Sequence, residues 1–255
     1  MTKPKILGVR YACADPSVKS DFYISVLGMS RIAEHRFGYE GQGAWLEFET
    51  AKSPDKYVAH RHDLYWKIAI AVPDLELACH QLRACGINVS DPHQFQDVGY
   101  LAHFCDPEGF QIELIQHQFE GKKPSVQADE NLLGGGPTLN LVTLRTTDIA
   151  RVRALCEIQL GMKLLSIQPI KDYDFTLYFF AFTDEKLPDS DLESLVNREW
   201  VYQRPYSILE VQYLHTNERL LEKPAGMPGY LGTVLSDKTQ CKKHELASLN
   251  LIVNS

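Results

Sequence analysis

Apolar and polar residues alternate through much of the chain. From Ile6 to Cys13, Val9, Tyr11 and Cys13 fall on one side and Gly8, Arg10 and Ala12 on the other, the pattern of a half-buried strand. A helix is predicted next: Asp15 is placed to cap it, Pro16 suits its first turn, Val18, Phe22 and Val26 recur at helical spacing, and Gly28 ends it. Residues 44–50 alternate again, with Leu46 and Phe48 toward the core and Trp45, Glu47 and Glu49 opposite. The pattern restarts at Lys67, with Ile68, Ile70 and Val72 inward. Asp74 then caps a helix through Leu75, Ala78 and Leu82 that stops at Gly86. Further on, Asp106-Pro107-Glu108-Gly109 makes a tight turn into a strand that carries Phe110, Ile112 and Leu114 on one face and Gln111 and Glu113 on the other. Residues 5–118 thus predict two β-α-β-β-β modules.

The arrangement recurs further along the chain. The spacing of Asp15 and Gly28 is repeated by Asp148 and Gly161, and that of Glu47 and Asp74 by Glu210 and Asp237. An insertion before Glu210, placed in the polar stretch from Thr183 to Tyr206, separates the two registers. Residues 1–120 therefore read as a first domain of two modules and 138–255 as a second. The stretch 121–137, charged and ending in Gly134-Gly135-Gly136-Pro137, reads as the linker. The residue that would match Glu113 in the fourth module lies past Ser255, so that module reads as truncated after a strand over 230–236 and a helix over 237–249.

Composition narrows the classes. The chain has 255 residues, a net charge of -7 and no concentrated basic face, so no nucleic-acid partner is expected. Neither a signal sequence nor a span of membrane length is visible, which gives the expectation of a cytoplasmic protein with no membrane partner. Six cysteines without a C-x-x-C pair exclude zinc-ribbon and thioredoxin readings.

The tandem modules, with Phe22-Tyr23 and Val26-Leu27-Gly28-Met29, Ile68-Ala69-Ile70-Ala71-Val72-Pro73-Asp74 and Asp106-Pro107-Glu108-Gly109-Phe110-Gln111-Ile112-Glu113, resemble the vicinal oxygen chelate superfamily of glyoxalases, bleomycin-resistance proteins and extradiol dioxygenases. Thr143-Leu144-Arg145, residues 177–182 and Ile208-Leu209-Glu210-Val211 are similar to glyoxalase I in order and spacing. The resemblance implies an α+β fold of tandem βαβββ modules forming glyoxalase-like curled sheets. It also implies a Zn or Ni ion held by a Gln or His on each first strand and a Glu on each last strand. The matching positions are Gly8, Glu47, Lys67 and Glu113, then Leu141, Glu210 and Tyr230. Glycine and leucine offer no ligand and a lysine ammonium repels a cation, so no metal is assigned and no cofactor is expected. Pairing module one with four and two with three, as some tandem relatives do, assembles no better zinc set. No histidine falls where a dioxygenase needs two.

Glu113, Glu47 and Lys67 are the candidate catalytic groups, with Lys67 also a charge partner for a carboxylate. Arg10, His103, Gln111, Arg145 and Glu210 are the candidate ligand-binding groups. Arg10 and Lys67 facing Glu47 and Glu113 would make one charge-balanced pocket for a small polar or anionic molecule, and Arg145 matches the arginine that meets a glutathione carboxylate in glyoxalase I. The expected function is that of a glyoxalase-like protein acting on a small polar molecule by lyase or isomerase chemistry, lactoylglutathione-lyase-like if active, with the usual metal site lost. The alternatives are a cofactor-free binding or sequestering protein and a degenerate scaffold. The incomplete second half is expected to pack on the first or on a second copy of the chain, as a homo-oligomer.

Overall fold

The structure is a computed structural model and describes residues 4–41, 44–120, 122, 129–216, 218–236 and 247–253. Module one supplies β1 (Ile6–Cys13), β2 (Ser30–Ala33), β3 (Arg36–Gly38) and β4 (Trp45–Thr50); module two supplies β5 (Tyr65–Val72), β6 (His93–Phe95), β7 (Gly99–Cys105) and β8 (Gln111–Gln116). Module three supplies β9 (Thr138–Thr146), β10 (Lys163–Ile170), β11 (Phe175–Ala181) and β12 (Ile208–Leu214), and module four β13 (Gly229–Leu235) and β14 (Leu251–Val253). The first and last strands of each module run parallel side by side: β1 with β4, β5 with β8, β9 with β12 and β13 with β14.

Two mixed sheets result, ordered β14-β13-β1-β4-β3-β2 and β10-β11-β12-β9-β5-β8-β7-β6. Module one joins module four through the antiparallel pair β1–β13, and module two joins module three through β5–β9. The division at 121–137 follows the repeat in the sequence, whereas each sheet takes one module from either side of it. The sheets share a core as well. Tyr11 of β1 donates its hydroxyl to that of Tyr65 of β5 at 3.1 Å, and Tyr230 of β13 stacks on Tyr65 with centroids 5.3 Å apart. Aromatic rings from three modules thus bury one another, and neither half of the chain encloses this core alone.

Several elements depart from the sequence reading. Helix α1 (Ser17–Asp21) runs into a π-turn over Phe22–Val26, and its buried face carries Lys19, Phe22, Tyr23 and Leu27, while Val18 is exposed. Helix α2 (Leu75–Ala84) matches, with Asp74 Oδ1 accepting from Leu77 N at 3.0 Å and Leu75, Ala78 and Leu82 buried. Module three repeats the short form in α3 (Ile149–Arg153) and a π-turn over Ala154–Gln159.

The end of the linker is packed. Gly134 has φ +55°, donates its N–H to Gln81 Oε1 and accepts from Asp74 N, and a Cβ there would lie 2.6 Å from Val72 Cβ, so glycine alone lets this chain lie against β5 and α2. The stretch read as a polar loop, 183–206, contains helix α4 (Leu195–Tyr202), whose Val201 and Tyr202 are fully buried. Most of the helix expected over 237–249 lies outside the described residues. Residues 251–253, which carried no strand expectation, form β14 in the place of the module's last strand. Among the described residues no helix is long and apolar enough to cross a membrane.

Candidate functional site

The concave face of the second sheet gathers the polar side chains. Lys67 on β5 stands across from Thr143 on β9, Thr143 lies beside Glu210 on β12, and Glu113 on β8 lies beside Ala69, one pleat along from Lys67. Period-two alternation points all four to one side. Lys67 Nζ donates to Glu113 Oε1 at 2.8 Å and to Glu210 Oε2 at 3.1 Å, and Thr143 Oγ1 also donates to Glu210 Oε2. His103, opposite Glu113 on β7, has Nε2 at 3.0 Å from Glu113 Oε2. Lys67, Glu113 and Glu210 are at most 5% exposed in their side chains, whereas His103 is 36% exposed.

Their ionisation follows from this packing. Burial pushes Glu113 up, but the Lys67 ammonium and the hydrogen bond from His103 outweigh it and hold the carboxyl down at about 2. Burial also raises Glu210, and Lys67 and Thr143 only partly offset that and the repulsion from Glu113. Burial lowers Lys67, while the two carboxylates more than reverse the effect and raise it. A carboxyl depressed in the folded state stabilises the protein above its unfolded value and loses that contribution as pH falls through the folded value; Glu210, raised, acts in the opposite sense. Urea unfolding at stepped pH is therefore expected to show stability falling as pH drops from 4.5 toward about 2, with Glu113→Gln flattening that limb.

At one end the trough is closed. Tyr202 Oη donates to Val98 O at 2.8 Å and its ring lies 6.4 Å from that of Phe179, so α4 fills the hollow of the sheet. Two residues along from Thr143 and Glu210 on the same strands, Arg145 and Gln212 line a cleft of about 430 Å³, together with Arg61, His62, Phe175, His215 and others. Arg145 is buried, with Nε donating to Gln212 Oε1 at 2.8 Å and Nη1 to His60 O at 3.1 Å. Its Nη2 makes no hydrogen bond among the described residues. Burial lowers Arg145 to about 10, against Tyr57 and Asp63, which leaves it a cation at neutral pH. The ring of Trp66 lies against both the Arg145 guanidinium, at 5.1 Å, and the Lys67 ammonium, at 4.8 Å.

The single pocket expected from Arg10, Lys67, Glu47 and Glu113 is not formed. Arg10 and Glu47 belong to the first sheet, where Arg10 Nε is 3.1 Å from Glu47 Oε2, Arg10 Nη2 donates to Glu49 Oε2 at 2.8 Å, and Arg36 Nη2 donates to Glu47 Oε1 at 2.6 Å. Lys67 and Glu113 belong to the second, and there the partner is Glu210, which only the β5–β9 pairing brings close. Gln111 sits at the start of β8, on the Glu113 face, with Nε2 donating to Cys105 Sγ at 2.8 Å. Tyr202 and Trp66 were missed. An aromatic dipeptide neighbour, Trp66 beside Lys67, was the only signal in the sequence for the latter.

Neither set of family positions fits a divalent ion. On the second sheet the ammonium of Lys67 bridges the two carboxylates that would have to coordinate it, and Leu141 offers no donor. On the first, Glu47 is paired with two arginines and Tyr230 faces the aromatic core. At Gly8 a Cβ would lie 2.3 Å from Trp45 O and 2.4 Å from its ring, so no longer side chain can reach out from this position. Gly8→Ala is accordingly expected to destabilise the fold by about 1–3 kcal/mol through overpacking, read as a shift in the urea midpoint.

Comparison with known proteins agrees with this architecture. Residues 5–114 match the model of the Glyoxalase/Bleomycin resistance protein/Dioxygenase superfamily. A "probable lactoylglutathione lyase" of Vibrio parahaemolyticus is 30% identical over 135 residues, which is 46% of this chain and 94% of that protein. One of the same description from Vibrio cholerae is 28% identical over 132 residues, with the same coverage. Glyoxalase I from Zea mays superposes with a TM-score of 0.63 at 20% identity, over 97% of this chain and 78% of that one, a likeness of fold. On its sequence relatives, its fold and its repeated modules, the chain belongs to the glyoxalase/bleomycin resistance protein/dioxygenase superfamily.

Proposed function

We propose that the protein binds a small anionic molecule in the cleft at Arg145 on the polar face of the second sheet, its acid group against Arg145, and does so without a resident metal. The supporting observation is the Arg145 guanidinium, held by Gln212 and His60 with Nη2 making no hydrogen bond among the described residues, on the lining of a cleft that also carries Phe175 and Arg61. The carboxylates that would hold an ion are bridged by Lys67 instead. The names of the Vibrio relatives suggest the probes, since lactoylglutathione and glutathione both carry carboxylates.

Thermal melts with S-lactoylglutathione, glutathione and lactate test this reading. A ligand at about 100 times its Kd is expected to add about 2.7 kcal/mol to the stability, and Arg145→Met to abolish the gain. A shift that persists in Arg145→Met would move the ligand elsewhere. Elemental analysis of protein purified without chelator is expected to find no stoichiometric metal in the parent and a gain of zinc in Lys67→His, where the imidazole joins Glu113 and Glu210. One ion per parent chain would overturn the metal-free reading.

A lyase or isomerase activity is a second reading, favoured by one observation: Glu113 and Glu210 share an ammonium yet are pushed in opposite directions, the condition that separates a base from an acid. It requires a substrate to pass Trp66. Conversion of the methylglyoxal–glutathione hemithioacetal that disappears in Glu210→Gln would favour it over binding alone.

A further inference from the structure

A second cleft opens beside His103, on residues that the Arg145 mouth does not share. It holds about 510 Å³, within the range of small-molecule sites, and is walled by Phe22, Phe104 and Pro107, with His103, Gln111, Asn88, Ser90 and Cys105 among its polar groups. The carboxylate of Asp106 also borders it, but both its oxygens are already bonded: Oδ1 accepts from Glu108 N and Phe110 N, and Oδ2 from Tyr23 Oη and Lys19 Nζ. His103 is held differently. Its backbone is tied to Ser90 on both sides, with His103 N donating to Ser90 Oγ at 2.9 Å and His103 O accepting from Ser90 N at 3.0 Å. Its ring is tied through Nε2 to Glu113, whose other oxygen is fixed by Lys67.

That chain of contacts sets the tautomer. A carboxylate can only accept, so the neutral imidazole must place its proton on Nε2, and Nδ1 is left with a lone pair. Nδ1 has no hydrogen-bond partner among the described residues. The result is an acceptor of fixed orientation, partly exposed, at the polar side of a cleft with an apolar wall.

We infer that this cleft is a second small-molecule site, which takes a molecule with an apolar body and one O–H or N–H donor and receives that donor on His103 Nδ1. Phe22 and Phe104 cover the body of the ligand, and Gln111, whose Nε2 donates to Cys105 Sγ at 2.8 Å, lines the same cleft. The Lys67–Glu113 pair is a positioning device for this site, because it fixes the acceptor without touching the ligand.

The test is nitrogen-resolved NMR of His103 in the full chain at about pH 8, above the ordinary imidazole range, with phenol as the probe. The free protein is expected to show the Nε2–H tautomer, and phenol to produce a saturable shift at Nδ1. Asn88→Trp, at an exposed position on the rim, is expected to weaken that binding by about tenfold or more, as loss of access should, while Arg145→Met leaves it unchanged. Glu113→Gln is expected to mix the two tautomers and weaken phenol binding without closing the cleft. An Nδ1–H tautomer in the parent, no saturable shift, or binding equally strong in Asn88→Trp would each overturn the inference. Loss in Arg145→Met would place the probe in the other cleft and overturn it too.

Discussion

Replacing Lys67 with methionine is expected to destabilise the protein by about 3–5 kcal/mol, the range found when one member of a buried ion pair is removed and its partner left without compensation. Two carboxylates are stranded here, not one, since Nζ serves both Glu113 and Glu210. With about 2–4 °C of melting temperature per kcal/mol for a chain approaching this size, a fall of roughly 10 °C is the expected signature. The pH dependence should change sign as well. Without the ammonium, burial and mutual repulsion raise both carboxyls above their unfolded values, so the variant gains stability as pH falls and loses it as pH rises through the raised values. The triple variant Lys67→Met, Glu113→Gln, Glu210→Gln removes every charge of the cluster and is expected to recover most of the loss. A Lys67→Met protein within about 1 kcal/mol of the parent, and with the parent's pH profile, would mean that the ammonium does not bridge the carboxylates.

Much of this cluster could be read from alternation, and the part that could not was tertiary. Glu113 sits on a strand whose other face is core, and the cost of an unpaired buried carboxylate required either solvent or a partner. Lys67, on the first strand of the same module, is a candidate charge partner for Glu113 or Glu47 alike, and the structure selects Glu113. Glu210 is legible as a repeat of Glu47, and it joins Lys67 and Glu113 only in the alternative that pairs module two with module three, which local pattern cannot select because strand order between modules depends on which edges meet. The same gap separated Arg10 and Glu47 from the pocket they were expected to share. Tyr202 was hidden for another reason: the segment 183–206 is polar on average, and both ends of α4 are apolar, although Val201 and Tyr202 are buried while Leu195 and Val196 are exposed, so hydrophobicity alone does not tell which end packs. The inward face of α1 is rotated from the one expected. Val18, Phe22 and Val26 have helical spacing, but so do Lys19, Tyr23 and Leu27, and the buried face carries this second set together with Phe22.

That lysine gives the other large effect. Lys19 is wholly buried and bonded to Asp106, its ammonium 4.7 Å from the ring centroids of both Phe48 and Phe110. Burial lowers Lys19, with Asp106 opposing. Asp106 in turn holds the turn that feeds β8: Oδ1 accepts from Glu108 N at 2.9 Å and Phe110 N at 3.0 Å, and Oδ2 accepts from Tyr23 Oη at 2.9 Å. One carboxylate therefore pins α1 to the turn, and the turn sets the register that delivers Glu113 to Lys67. Asp106→Ala strands the ammonium and unbinds two backbone donors, so a loss of about 3–5 kcal/mol is expected, at the upper end of single substitutions. Asp106→Asn keeps the turn acceptor and should cost less, and Lys19→Met added to it replaces the pair with packed apolar volume beside Phe48 and Phe110. Denaturant unfolding of the three proteins orders them: if Asp106→Ala and Asp106→Asn fall together, the turn bonds contribute nothing measurable, and if adding Lys19→Met brings no recovery, the buried charge is not what Asp106 compensates.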